Sequence, residues 1–263
     1  MMGRLAVTGA TGRMGQEVLA AVADRADLDV VAAVNRGGAE ADGDESATIA
    51  GVDIEPAADL ESILAEREVD AVIDFTGPES CVEYARACAA TGTAFVTGTT
   101  GLGEEQQAAL QAASEETAVL QAANFSKGIA VLRSLVREAA GTLDDYDVEL
   151  VEAHHNGKRD APSGTANSLL DDIDAVRGES ERVHGREGEA PRSEGEVGVH
   201  AVRAGNVTGL HEVWLAGGHE ELRLSHRAES RGVFAEGALD AASWLAGRDA
   251  GWYDFDDVLE GGA

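Results

Sequence analysis

Residues 5–15 read LAVTGATGRMG, a short apolar run that breaks at once into glycines at Gly9, Gly12 and Gly15. A run of this length, ending in a glycine-rich turn before a helical pattern, predicts a strand-to-helix junction in a parallel sheet. Glycine suits that junction because the backbone turns sharply, a pyrophosphate can come closer than a Cβ would permit, and the helix lies tightly on the sheet. The N–H groups opening the helix can then hold phosphate oxygens. GxxGxxG spacing is weak by itself in a chain with 32 glycines, but its place on the very first strand predicts a dinucleotide site built from Gly9, Ala10, Thr11, Gly12, Arg13, Met14 and Gly15.

The rhythm continues through the first half. Strand-like runs are expected at residues 5–8, 28–34, 70–75, 94–98 and 118–123, alternating with helical patterns at 14–23, 60–67, 81–90 and 104–114. This alternation predicts an α/β fold with a doubly wound parallel sheet, whose ligands lie at the carboxyl ends of the strands. At the end of the second run, Asn35 and Arg36 stand where an NAD-selective site carries an acid. Asn35 can still hydrogen-bond a hydroxyl and Arg36 can pair with a 2′-phosphate, so NADPH is expected as cofactor alongside NADH. Three later strand ends add Phe75 and Thr76 from DFTGPES, Gly98, Thr99 and Thr100 from GTTG, and Ala123, Asn124, Phe125 and Ser126 from AANFS. Small and hydroxyl residues let backbone approach a flat ring, and Thr and Asn can orient a carboxamide.

After Phe125 the pattern changes. Helices are expected at about 128–141 and 164–176, with an extended run at 146–155 between them. Three further runs, 196–204, 210–215 and 221–228, follow with short turns and predict an antiparallel meander. Residues 177–195 read as a polar loop of unusual length, either a lid or a solvated insertion. The expected organisation is a dinucleotide-binding domain over residues 1–126, completed by 234–263, and a smaller α+β substrate-binding domain with a mixed, largely antiparallel sheet over 127–233.

The densest chemical signal is EAHHNGKRDAPSGT, residues 152–165. A strand delivers His154, His155 and Lys158 to a loop, and Ser163, Gly164 and Thr165 then open a helix whose free N–H groups suit a carboxylate. Side chains alternate along a strand, so the two histidines share one ligand only if extended structure ends at or before them. Lys158 is one of two lysines in the chain, which adds weight to its place in a motif. Nothing here has the spacing of a zinc site, and no metal is expected.

Composition narrows the field. The chain holds 49 Asp+Glu against 20 Lys+Arg, a formal charge of −29. Such a surface excludes partners that need phosphate neutralisation, so neither nucleic acid nor an anionic membrane is expected. In molar salt the screening length falls to about 3 Å and self-repulsion largely disappears, which predicts a high-salt environment. Cys81 and Cys88 lie seven residues apart on one expected helix, too far along its axis for a disulfide, and read as small core residues. No apolar signal core and no run of membrane-spanning length is evident, so a cytoplasmic location is expected.

From these residues alone, a two-domain dehydrogenase acting on aspartate or homoserine, or a silent nucleotide-binding sensor, stays open. GATGRMG, DFTGPES, GTTG, AANFS, EAHHNGKRDAPSGTA and RAGNVTGLHEV, in that order over nearly the whole chain, closely resemble dihydrodipicolinate reductase, also called 4-hydroxy-tetrahydrodipicolinate reductase. The resemblance implies an N-terminal Rossmann domain, a mixed-sheet domain that also builds a homotetramer, and hydride transfer from NADH or NADPH to a small cyclic dicarboxylate in lysine and diaminopimelate biosynthesis. It further implies that His155, Lys158, Gly164 and Thr165 hold substrate carboxylates and that His154 and Lys158 are candidate acids. The expected site is a crevice between two lobes.

Overall fold

The computed structural model describes residues 2–37, 48–49 and 51–261. The chain divides into two compact units, Met1–Phe125 with Arg231–Ala263, and Ser126–Ser230. The first unit opens with β1 (Gly3–Thr8), α1 (Arg13–Val22) and β2 (Leu28–Asn35), and continues through β3 (Thr48–Ile49), β4 (Val52–Pro56), α2 (Leu60–Glu66), β5 (Ala71–Asp74), α3 (Pro78–Thr91), β6 (Ala94–Thr97), α4 (Glu104–Ser114) and β7 (Ala118–Gln121). The second contains α5 (Lys127–Thr142), β8 (Asp147–His154), α6 (Gly164–Arg177), β9 (Arg182–His184), β10 (Val197–Arg203), β11 (Gly209–Ala216) and β12 (Glu221–Ala228). The chain then returns to the first unit with α7 (Gly232–Leu245), β13 (Gly251–Tyr253) and α8 (Phe255–Glu260).

The first unit's sheet runs β13-β7-β6-β5-β1-β2-β4-β3. Every pairing except β3–β4 is parallel. Strand order reverses between β1 and β5, the switch point outside whose carboxyl ends a ligand crevice forms. Apolar runs such as AVID of β5 are buried along their full length, as strands covered on both faces must be. The layer of α2, α3 and α4 packs on Val72, Phe95 and Val119. Cys81 and Cys88 belong to that layer, fully buried and unpaired, as small core residues. Burial pushes the Cys81 thiol up to about 12, with the Asp74 charge adding to it, so it has no thiolate chemistry at neutral pH. The α3 helix starts on Pro78 and stops at Gly92, whose φ of 70° supplies the left-handed cap.

Among the described residues the sheet has eight strands where the sequence predicts five. β3 and β13, of two and three residues, are too short to set up a readable alternation, β4 reads VDIEP with two acids and a proline among its five residues, and β13 earns its place only by pairing with β7. The helices and longer strands fall within a few residues of their expected limits.

The second unit carries a mixed sheet of order β12-β11-β8-β10-β9 with α5 and α6 packed on it through Leu132, Val136, Leu150, Leu169, Ile173 and Val213. The meander is corrected in one respect. β11 and β12 form an antiparallel hairpin, but β10 lies parallel to β8, which separates it from β11. Close spacing fixed the hairpin; it could not reveal that the earlier β8, buried at Val148, Leu150 and Glu152, takes the centre of the sheet. The long polar stretch is corrected too. Residues 182–184 form β9 on the sheet edge, and Arg192 pairs with Asp147 and Glu149, while Arg186 pairs with Glu149 and Glu196. These ion pairs and β9 join the segment to the sheet, so it is not the unstructured loop its composition suggests. Among the described residues, no helix is long and apolar enough to cross a membrane.

Candidate active site

Each unit contributes its own constellation. In the first, β1 is followed by Gly9, whose φ of 64° is costly for any residue with a side chain. A Cβ there would also lie 2.7 Å from Thr76 Cγ2, and one on Gly15 would lie 2.3 Å from the Gly9 carbonyl oxygen. The turn is therefore a cradle a Cβ would fill, with α1 seated closely on it. Gly12 caps α1 without a side-chain hydrogen bond, and no acid stands in the helix's first turn. An anion thus meets backbone amides and the positive end of the helix dipole without a competing carboxylate. Ala10 is buried beneath the turn, Thr11 and Met14 are partly buried, and Arg13 is exposed. Asn35 Nδ2 donates to Thr11 Oγ1 at 2.8 Å, which ties the end of β2 to the turn. Arg36 donates to Ser80 Oγ and lines a cavity of about 390 Å³ with Tyr84 and Arg86.

The next strand ends complete the crevice. A Cβ on Gly98 would stand 2.2 Å from Phe75 Cε1, so the Phe75 ring demands glycine opposite it. Phe75 meets Phe125 edge to face at 5.6 Å, and Phe125 meets Phe255 of α8 at 5.4 Å. Thr76 is partly buried, Thr99 buried and Thr100 exposed; Ala123 is exposed and Asn124 half-buried. The Phe125 ring and the Ser126 side chain are buried. Ser126 accepts from Ile129 N as the cap of α5 and lies 3.2 Å from His226 Nε2. These two side chains support the fold and leave a ligand only their backbone.

In the second unit β8 ends at His154, so His155 is free of strand alternation. Glu152 and His154 lie two residues apart on one face. The Glu152 carboxylate is fully buried and accepts from His154 Nδ1 at 2.7 Å, from both terminal nitrogens of Arg203 at 2.7 Å, and from Ser163 N at 3.1 Å. Burial by itself would raise this carboxyl; the bonds from His154 and Arg203 hold it down to about 2. Because a carboxylate only accepts, Nδ1 of His154 carries the proton and Nε2 is the ring's outward atom. Gly209 lies over that nitrogen, where even a Cβ would come within 3.3 Å.

Lys158 Nζ pairs with Asp160 at 2.9 Å, and its backbone N–H closes a turn onto the His155 carbonyl. Asn156 N donates to Gly205 O and Ala204 N to His154 O, so the histidine loop and the RAGNVTG turn are bound together. Ser163 caps α6 by accepting from Ala166 N at 3.2 Å, and its hydroxyl lies 3.0 Å from His211 Nε2. Gly164 is exposed and Thr165 buried, with no acid in the first turn of α6. Burial, reinforced by nearby His154, pushes His211 down to about 3, so it is a neutral support. Its ring stands edge-on to His154 at 5.2 Å. The sequence reading gave Glu152, Arg203 and His211 no role; only the i, i+2 spacing of Glu152 and His154 could have signalled the first.

A glycine cradle at a sheet's switch point, and in a second unit a carboxylate-oriented histidine with a lysine and an open helix start, define a two-domain pyridine-nucleotide-dependent reductase. The family profile described as "Dihydrodipicolinate reductase, N-terminus" matches residues 3–125, and "Dihydrodipicolinate reductase, C-terminus" matches 128–259. The chain belongs to the dihydrodipicolinate reductase family. It is 52% identical over 98% of its length to the 4-hydroxy-tetrahydrodipicolinate reductase of Haloarcula marismortui, covering 100% of that protein. Against the enzyme of the same name from Natronomonas pharaonis it is 50% identical, covering 96% of this chain and 98% of the relative. Among solved structures, dipicolinate-bound dihydrodipicolinate reductase from Paenisporosarcina sp. TG-14 superposes with a TM-score of 0.77 at 25% identity, covering 97% of this chain and 98% of that one.

Proposed function

We propose that this chain reduces 4-hydroxy-tetrahydrodipicolinate to tetrahydrodipicolinate, in lysine and diaminopimelate biosynthesis, using NADPH or NADH. The observation that carries the reading is the buried Glu152–His154 pair in the same short segment as the open start of α6. When bound, the reduced nicotinamide supplies a hydride. The substrate's 4-hydroxyl leaves as water to give a conjugated imine, and hydride addition to that imine leaves electron density that a proton must quench. His154 in its protonated form delivers that proton from Nε2, while Glu152 fixes the ring's orientation through Nδ1. A positioned donor of this kind contributes roughly 10²- to 10⁴-fold in rate.

The substrate's carboxylates are held by the first amides of α6, at Gly164 and Thr165 beyond the Ser163 cap, and by His155 and Lys158. Lys158 already has Asp160 as partner, yet that carboxylate is more than half exposed. An ion pair of this kind is worth only about 0–1 kcal/mol, so a substrate carboxylate can share the ammonium group. On the nucleotide side, Arg36 at the end of β2 offers a guanidinium to a 2′-phosphate, although the cavity it lines with Arg86 also holds Glu61 and Glu83, while Asn35 accommodates a ribose hydroxyl. Four-chain assembly and a cytoplasmic, high-salt setting complete the proposal; two buried, unpaired thiols fit a reducing compartment.

The test is oxidation of NADPH by the purified chain with freshly generated substrate, against aspartate semialdehyde and homoserine as controls. Turnover of the cyclic dicarboxylate alone supports the reading; no turnover, or a preference for either control, refutes it. Lys158→Ala is expected to lower turnover at least about 100-fold with NADPH binding intact. Near wild-type turnover would remove Lys158 from the mechanism.

A further inference from the structure

We propose that Asp74 is the positioning residue of the nucleotide crevice: its buried carboxylate gathers four threonine hydroxyls and so sets three loops against a pyridine dinucleotide. The inference rests on the reading that the glycine cradle takes that nucleotide.

Asp74 ends β5, beside the switch point, and is wholly buried. Oδ1 accepts from Thr8 Oγ1 at 2.8 Å and Thr76 Oγ1 at 2.6 Å, and Oδ2 from Thr97 Oγ1 at 2.8 Å and Thr99 Oγ1 at 2.7 Å. Those hydroxyls come from the end of β1, the loop after β5, the end of β6 and the loop after β6. A carboxylate offers about four acceptor positions and no donor, and here all four are filled. Because each hydroxyl spends its proton on Asp74, its oxygen is left to accept. Thr76 N donates to Thr99 Oγ1 at 3.1 Å, and Thr99 N to Thr97 Oγ1 at 3.1 Å. Gly98 N donates to the Asp74 carbonyl at 2.8 Å. The backbone of Thr76, Gly98 and Thr99 is thus fixed by one residue, and the Gly9 turn is tied to it through the neighbouring Thr8.

An amide cannot do this. Asparagine would present an N–H₂ group to two of the four hydroxyls, which must then turn their own protons away from the centre, so the four loop ends lose their common acceptor. The hydroxyl set reads the charge state of the centre, not its size. Nothing in the fold of the sheet requires a carboxylate at the end of β5; parallel strands there end equally well on apolar residues.

The experiment compares wild type, Asp74→Asn, Thr97→Val, Thr97→Ser and Thr117→Val by NADPH fluorescence titration, thermal melting and steady-state kinetics. Thr117 is a buried threonine elsewhere in the unit that donates to Thr93 O, and its loss reports the plain structural cost of a buried hydroxyl. Asp74→Asn is expected to weaken NADPH binding at least tenfold and to raise the KM for NADPH more than it lowers kcat, with a melting temperature no lower than that of Thr117→Val. Thr97→Val, which removes one of the four donors, is expected to weaken NADPH binding severalfold, and Thr97→Ser to restore it. Binding within twofold of wild type in Asp74→Asn overturns the proposal. If Asp74→Asn does not fold, an unchanged NADPH affinity in Thr97→Val overturns it equally. A wild-type chain that binds no NADPH overturns the underlying reading of the crevice instead.

Discussion

Glu152 carries a charge that water cannot reach, and four donors from three parts of the chain converge on it. Such a group is secure only while every partner stays, since removing one strands a buried charge. Its neighbour His211 presents the opposite case, a base kept neutral. An imidazole held at about 3 in the folded chain, against 6.5 when exposed, binds its proton more readily once unfolded. Its contribution to stability is therefore complete above about pH 6.5 and shrinks as pH falls toward 3. In denaturant titrations at fixed high salt, wild-type stability is expected to fall over this window with a slope up to about 1.4 kcal/mol per pH unit steeper than that of His211→Gln. Equal slopes would assign acid sensitivity elsewhere. Arg36 is tested at the same scale: Arg36→Ala is expected to raise the KM for NADPH about tenfold and leave that for NADH unchanged, the loss of one charge-assisted contact. A parallel rise for both nucleotides would make Arg36 an ordinary surface charge. The segment holding His154, His155 and Lys158 stands out in the sequence because two histidines and one of only two lysines fall together there. Arg203 was not, because the carboxylate it serves lies 51 residues away in sequence and adjacent only across the β8–β10 pairing.

Among the elements, α6 concentrates structure and chemistry at one end. Ser163 both caps the helix and engages His211, so Ser163→Ala removes two interactions and is expected to cost about 1–2 kcal/mol. Calorimetric titration with a planar pyridine dicarboxylate should show weaker binding in this variant, with NADPH affinity unchanged. Unaltered dicarboxylate binding would detach the start of α6 from substrate recognition. Elements of this length were readable: α4 and β12 coincide with their expected limits because a clear polar-apolar period and flanking turns bracket each. β3, β9 and β13, of two or three residues, carry no period at all; β3 exists only through its neighbour β4, and β9 and β13 only through strands further off in sequence. Sheet order is hidden for the same reason, since turn length sets which strands can be neighbours but a central strand such as β8 is chosen by burial on both flanks.

At the scale of the whole molecule, a charge of −29 dominates. Raising salt from about 0.1 M to molar concentrations shortens the screening length from about 10 Å to 3 Å. The melting temperature and activity are accordingly expected to rise together across that range, and retention of both after dialysis to low salt would refute the proposed high-salt setting. The path of the chain has a separate consequence. The first unit is interrupted by the second, and α7, whose Ala235, Ala238, Leu239, Ala242 and Leu245 are wholly buried, is made only after the interruption. During synthesis the nascent polypeptide must hold strands β5, β6 and β7 without the helix that covers them, while the inserted unit, contiguous in sequence, can already fold as a block. The usual order of assembly from the amino terminus is thereby inverted, and a segment made after the inserted unit closes the half begun before it.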